Sequence, residues 1–325
     1  MNINDDNGRF LLSFVIPLHN EEACIDALHH AITTTYADIQ SKCQLEIVFI
    51  NDGSQDNTLE KVCSTFGNTC KDISWTLLDL SRNFGKEAAL TAGLNEVKGD
   101  AVVPLDADLQ DPIELIPEMI DLWESGYDVV LAKRIDRRTD SPMKRWSSFA
   151  YYKLHNKLSK PGIPENVGDF RLISSDVVKA INSFNETQRF MKGLLSWVGF
   201  RVCEIEFSRP PRSFGKSKFT GAKLFELASQ GITSFTIVPL RLASVLGLTT
   251  FIMTVAYSAF LIARKVLLDI DVPGYTSIMV AILLLGGFQL AAIGLLGEYV
   301  GRTYLETKRR PVYLVRQKFG THHGA

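Results

Sequence analysis

Residues 101–112 read Ala-Val-Val-Pro-Leu-Asp-Ala-Asp-Leu-Gln-Asp-Pro, a short apolar run that stops abruptly at alternating carboxylates. A run this brief, closed by polar residues, reads as a strand buried on both faces. Outward from it the pattern recurs. Apolar runs at Leu12–Pro17, Leu45–Asn51, Trp75–Leu80 and Asp128–Ala132 join Ala101–Asp106, and helical stretches lie between them at Glu21–Lys42, Asp56–Phe66, Lys86–Val97 and Pro112–Ser125. Pro112 suits an early helical position, where its missing N–H costs little. Strands alternating with helices predict an α/β fold with a parallel sheet covered by helices. No G-x-G-x-x-G follows the first strand, so the fingerprint of a nicotinamide or flavin dinucleotide site is missing.

The 325 residues allow one sizeable domain with an appendage, and the average of 46% hydrophobic and 22% charged residues hides a split between the two. No charged residue occurs from Leu242 to Ala263, nor from Tyr275 to Gly297. As helices, spans near 242–263 and 275–297 reach roughly 33–35 Å, enough for the ~30 Å hydrocarbon core. The sequence therefore predicts two transmembrane helices, with 1–232 as the soluble domain and 233–325 as the membrane domain. The segment near Lys223–Leu240 is expected to rest on the membrane before the first span. Arg302, Lys308, Arg309, Arg310, Arg316 and Lys318 follow the second span, whereas Arg264 and Lys265 alone are the cations of the short connection holding Asp269, Asp271, Pro273 and Gly274. Positive-inside bias then places both termini and the soluble domain in the cytoplasm, in a multi-pass protein of the cytoplasmic membrane. Net charge is −1, which gives no field for nucleic acid. Five cysteines with no C-x-x-C pair argue for reduced thiols in a cytoplasmic compartment. The acidic start Met-Asn-Ile-Asn-Asp-Asp lacks the basic opening of a signal peptide.

Chemistry concentrates at strand ends. Asp106 and Asp108, two apart on a strand, share a face and project past its carboxyl end, where open α/β sheets bind ligands. Paired carboxylates suit Mg²⁺ or Mn²⁺, which takes one or two of them plus phosphate oxygens. The alternative is a solvated turn leading into the helix at Pro112. Polar groups follow the other strands too: His19-Asn20-Glu21-Glu22, Asn51-Asp52-Gly53-Ser54 and Arg82-Asn83-Phe84-Gly85-Lys86. Asp52 is suited to accept from a base or ribose, whereas Asn20, Ser54 and Asp56 also read as helix caps. Gly53 permits a turn close to a ligand.

These residues resemble family 2 glycosyltransferases of the polyisoprenyl-phosphate branch, and most closely the bacterial bactoprenol glucosyltransferases of O-antigen glucosylation, with dolichol-phosphate mannose synthases as more distant relatives. The resemblance runs on through Gly168-Asp169-Phe170-Arg171-Leu172, Phe190-Met191-Lys192-Gly193, Gly297-Glu298-Tyr299-Val300-Gly301-Arg302 and Lys308-Arg309-Arg310-Pro311, and so covers nearly the whole chain. It implies a GT-A (Rossmann-like) catalytic domain, UDP-glucose as donor, undecaprenyl phosphate as acceptor, inversion at the anomeric carbon and a homo-oligomer, a tetramer in some members. On the matching positions it implies donor contacts from Pro17, Asn20, Glu22, Asp52, Lys86, Asp106 and Gln110, metal ligation by Asp106 and Asp108, and catalytic roles for Asp108, Asp169, Arg171 and Arg212.

Two motifs keep more than one reading. Asp169 orients the acceptor, acts as a base, or forms a surface bridge with Arg171 worth little. A phosphate acceptor needs little help from a base, because it is largely ionised at neutral pH. The loop from Arg209 to Lys218, with Arg212, Lys216 and Lys218, meets anionic lipid head groups or clamps the phosphates of donor and lipid. A processive polysaccharide synthase would carry Q-x-x-R-W and more spans, and a nucleotidyltransferase would carry a glycine-rich loop with lysine. A membrane scaffold would have no use for Asp106, Asp108 and Asp169 together.

Overall fold

The computed structural model describes residues 8–67, 73–135, 167–187, 189–207, 238–268 and 274–320. The chain forms two compact units, one of Met1–Thr220 with Arg310–Ala325 and one of Gly221–Arg309.

The first unit is built on an eight-stranded sheet in the order β7-β5-β6-β4-β1-β2-β3-β8. Its strands are β1 (Phe10–Leu18), β2 (Cys43–Asn51), β3 (Ile73–Leu80), β4 (Ala101–Pro104), β5 (Val129–Arg134), β6 (Val167–Ser174), β7 (Val202–Phe207) and β8 (Val315–Gly320). Helices α1 (Ile25–Ile39), α2 (Thr58–Phe66), α3 (Lys86–Glu96), α4 (Ile116–Glu124), α5 (Ser175–Asn182) and α6 (Met191–Trp197) complete it. The apolar runs bury as expected: Phe14, Ile16, Ile47, Phe49, Leu77 and Val103 are fully enclosed.

The central strands β3, β2, β1 and β4 are parallel. The chain winds from β1 outward to β3 and then returns to the other side of β1 at β4. The loops after β1 and β4 diverge there, opening the crevice expected at a topological switch point.

Beyond this core the wholly parallel sheet gives way to a mixed one. Strand β6 runs antiparallel to β4 and to β5, and β8 runs antiparallel to β3. The pairings Ala101↔Ser174 and Val102↔Ile173 set the register of β6. Rising along β4 therefore means descending β6, so Asp169 comes to the same rim as Asp106. Hydrophobic pattern signals a strand but not its direction, so the antiparallel pairing of β6 with β4 was not legible in the sequence.

Two more expectations are corrected. The tail assigned with the membrane domain holds β8, which pairs with β3 at the edge of the sheet and belongs to the first unit. The strand expected at Ala101–Asp106 stops at Pro104, so Asp106-Ala107-Asp108 lies in the following turn and the alternation argument for it does not apply. Leu109 in that turn adopts φ 53°, an uncommon conformation for a side chain of its size.

The second unit holds α7 (Val238–Leu268, 31 residues) and α8 (Tyr275–Thr307, 33 residues). Both expected spans fall inside them. Among the described residues, Leu284–Thr307 is long and apolar enough to cross a membrane, while the apolar helix Leu242–Tyr257 is shorter. Asp269, Asp271 and Pro273 of the connection lie outside the described residues, as does the interfacial segment up to residue 237.

Candidate active site

A cleft of about 320 Å³ opens at the carboxyl ends of β1 and β4, lined in part by Pro17, His19, Asp52, Lys86, Asp106 and Asp108. Lys86, at the first turn of α3, reaches across it. Its Nζ lies 2.6 Å from Asp106 Oδ1 and 2.7 Å from Asp169 Oδ2. Burial alone would lower the Lys86 ammonium, but the Asp106 and Asp169 carboxylates outweigh it and hold the pKa above its ordinary value. Burial would likewise raise Asp169, yet the charges of Lys86 and Lys192 hold it down at about 2. Asp169 is therefore a permanent anion near neutral pH.

Asp108 is exposed and lines the same cleft as Asp106, with its Oδ1 accepting from the Gln110 N–H at 3.2 Å. Gln110 itself is buried behind the turn. Among the described residues no three His, Cys, Asp or Glu side chains form a metal cage. Two carboxylates on one cleft wall instead suit a divalent cation that completes its shell with phosphate oxygens and water.

Two loops frame the other wall. Asp52 is buried, and its Oδ1 and Oδ2 accept from the N–H groups of Phe84 (2.7 Å) and Gly85 (2.9 Å). Asp52, read from the sequence as an acceptor for the ligand alone, also anchors the loop after β3 while lining the cleft. Gly53, at φ 65°, lies flat against that loop: a Cβ there would sit 2.5 Å from Asn83 N. His19 Nδ1 lies 3.0 Å from the Asp52 carbonyl, an acceptor only, so a neutral ring donates from Nδ1. Nε2 then accepts from Asn83 Nδ2 at 3.1 Å. His19 and Asn83 stood in the polar runs after β1 and β3 without an assigned role. Their place directly after an apolar strand was the available signal.

Asn20 and Glu22 have structural partners of their own. Asn20 Oδ1 accepts from Gln55 N–H at 2.7 Å, and Glu22 accepts from Asn57, so both brace the loop after β1 against the loop after β2. Arg171 is buried, donates to the Gly168 carbonyl and leaves Nε without a partner among the described residues. Asp169 being paired with Lys86, the surface bridge to Arg171 is overturned. Glu87 is a further residue that pattern reading missed. Its Oε2 accepts from the Met191 N–H at 2.9 Å, tying α3 to the start of α6, and burial pushes its carboxyl up to about 7. Arg212, Lys216 and Lys218 lie outside the described residues.

The mixed α/β sheet with its carboxylate-lysine cleft at the switch point fits the GT-A-like class of fold expected from the sequence. The sequence comparisons agree. Residues 13–181 match Glycosyl transferase family 2, and residues 238–303 match the GtrB C-terminal hairpin. The chain belongs to glycosyl transferase family 2 and is a glycosyltransferase. It is 47% identical over 306 residues to a prophage bactoprenol glucosyl transferase homolog of Escherichia coli (strain K12), covering 94% of this chain and 98% of that protein. It is 48% identical over 307 residues to the bactoprenol glucosyl transferase of Shigella phage SfX, covering 94% and 99%. Among solved structures, a glucosyl-3-phosphoglycerate synthase from Mycobacterium tuberculosis, in complex with Mn²⁺, UDP-glucose and phosphoglyceric acid, is similar at 17% identity and TM-score 0.45, covering 69% of this chain and 78% of that one.

Proposed function

We propose that this enzyme transfers glucose from UDP-glucose to bactoprenyl (undecaprenyl) phosphate at the cytoplasmic face of the membrane, with inversion. The observation that carries the reading is Lys86 joined to both Asp106 and Asp169, which brings the turn after β4 and the antiparallel β6 into one cleft. The names of the relatives at 47–48% identity over 94% of the chain support the acceptor and the sugar.

Asp106 and Asp108 would hold Mg²⁺ or Mn²⁺, with Lys86 fixing the orientation of Asp106. A bound cation of this kind neutralises charge developing on the departing diphosphate. Asp52, Pro17 and the His19–Asn83 pair frame the nucleoside end of the cleft. Asp169, ionised throughout the neutral range, orients the cationic side chains around the lipid phosphate, whose oxygen attacks the anomeric carbon from the face opposite UDP. The C–O bond to UDP breaks as the new one forms, and no enzyme-linked intermediate arises. Arg212, Lys216 and Lys218 clamp the phosphates. Helices α7 and α8 both cross the bilayer, supported by side chains such as Phe251, Met253, Leu284 and Leu290 that are exposed and apolar. Such residues are stable against lipid and costly in water. Gly297 and Gly301 have open space around them on α8, which suits close helix packing in a homo-oligomer.

The test is a panel of nucleotide-sugars with undecaprenyl phosphate and the full chain in detergent, read by mass spectrometry of the lipid. UDP-glucose alone should give a hexosyl-phosphate lipid, and only with Mg²⁺ or Mn²⁺ present. A product from another donor, with none from UDP-glucose, would refute the sugar assignment.

A further inference from the structure

The last strand of the chain is irregular at one place. Along β3 and β8 the pairing runs Leu78↔Lys318, Asp79↔Gln317 and then Leu80↔Val315, so Arg316 is an extra residue with no partner in the ladder. Such a bulge twists a strand locally and re-aims a side chain, often beside an active site. Here it aims the guanidinium at the root of the loop that lines the cleft. Arg316 Nη2 donates to the Ser81 carbonyl at 2.8 Å, and Nη1 forms an ion pair with Asp79 Oδ2 at 3.6 Å. The neighbouring Leu314 carbonyl accepts from the Ser81 N–H at 2.9 Å, so both polar backbone groups of Ser81 are held by the tail.

Asp79 does not end the connection. It is buried, and its Oδ1 accepts from Asn51 Nδ2 at 2.8 Å. Asn51 Oδ1 accepts from Ser54 N–H at 3.2 Å, and Ser54 Oγ accepts from Asn20 N–H at 3.0 Å. A continuous polar path therefore runs from Arg316 beneath the three loops that follow β3, β2 and β1. On the cleft side the same loops are tied by Asp52 to Phe84 and Gly85. Lys318, two residues along, does something different: it pairs with Glu96 at the far end of α3, away from the cleft.

We infer that Arg316 is a positioning residue for the donor site, and that the segment following the helical hairpin sets the Ser81–Lys86 loop in its binding geometry. The inference deepens the donor reading and rests on it for the ligand, though not for the loop itself. Residues that contact one another in a single network act together, and losing a charge-assisted bond at its edge loosens what it orders.

The experiment uses the full chain in detergent as wild type, Arg316→Ala, Arg316→Lys and Lys318→Ala. UDP affinity is measured by calorimetry with Mn²⁺, and amide hydrogen exchange is followed across Ser81–Lys86. Arg316→Ala should bind UDP roughly three- to tenfold more weakly, with the loop amides exchanging faster by a similar factor. Arg316→Lys keeps the charge but not both contacts and should fall between, while Lys318→Ala should match the wild type. Unchanged exchange and affinity in both Arg316 variants would overturn the inference. So would equal losses in Lys318→Ala, which would make β8 a mere cover for the sheet edge. A wild type that fails to bind UDP would refute the donor reading, while the exchange rates would still decide the role of Arg316.

Discussion

Replacing Asp169 with asparagine keeps the size of the side chain and removes its charge from between Lys86, Lys192 and the buried Arg171. The carboxyl is held at about 2 against an ordinary 3.8. That difference corresponds to about 2 kcal/mol of native-state stabilisation by its cationic neighbours. Because the folded pKa is the lower one, the contribution is complete above pH ~4 and is lost as pH falls through about 2. The D169N enzyme should therefore unfold about 4–8 °C lower at pH 7, with the gap narrowing below pH ~4. Transfer should fall further than stability, by about 10²–10³-fold, the usual cost of one preorganised electrostatic contact. UDP affinity should change by no more than about twofold, since Asp106 keeps Lys86. The pH profile of the loss separates the two roles of Asp169. A group held at about 2 is too weak a base for neutral pH, so the loss should stay constant from pH 7 to 9. Single-turnover transfer at each pH, paired with thermal unfolding and calorimetry, decides the matter. A defect that eases towards pH 9 would make Asp169 a base and refute the electrostatic argument, and full activity would remove it from the chemistry.

Asp108→Asn should abolish metal-dependent UDP binding and lower transfer by about 10³-fold or more, measured by calorimetry with and without Mn²⁺. Glu87→Gln keeps an acceptor for the Met191 N–H and removes a carboxyl whose pKa is raised to about 7, so wild-type stability should decline between pH ~4.5 and 7 while that of the variant does not. Thermal scans at pH 5 and 8 check this, and parallel curves would contradict it. If both α7 and α8 span the bilayer, an impermeant thiol reagent applied outside should label D271C and spare K308C. The reverse pattern would invert the topology.

The strands and helices of the catalytic core were legible because burial on both faces demands near-continuous apolar runs, and these need no knowledge of partners. The rim at Pro17, Asp52, Lys86 and Asp106 was legible too, since polar residues directly after such runs mark the carboxyl edge of a sheet. The pattern did not reveal direction, register or pairing. Only the antiparallel course of β6 brings Asp169 to Lys86, through a register fixed by Ala101↔Ser174, with the sequence separation between them filled by other elements. Asp52 looked like a free acceptor because the N–H groups that occupy it belong to a loop 32 and 33 residues away. Arg316 and Lys318 looked like membrane-side charges because a basic tail after an apolar helix carries that meaning on its own. Backbone pairing with β3 gave them Asp79 and Glu96 instead. Periodicity reports which residues leave water. Which of them then meet depends on chain crossings between distant segments, and only the folded sheet decides those.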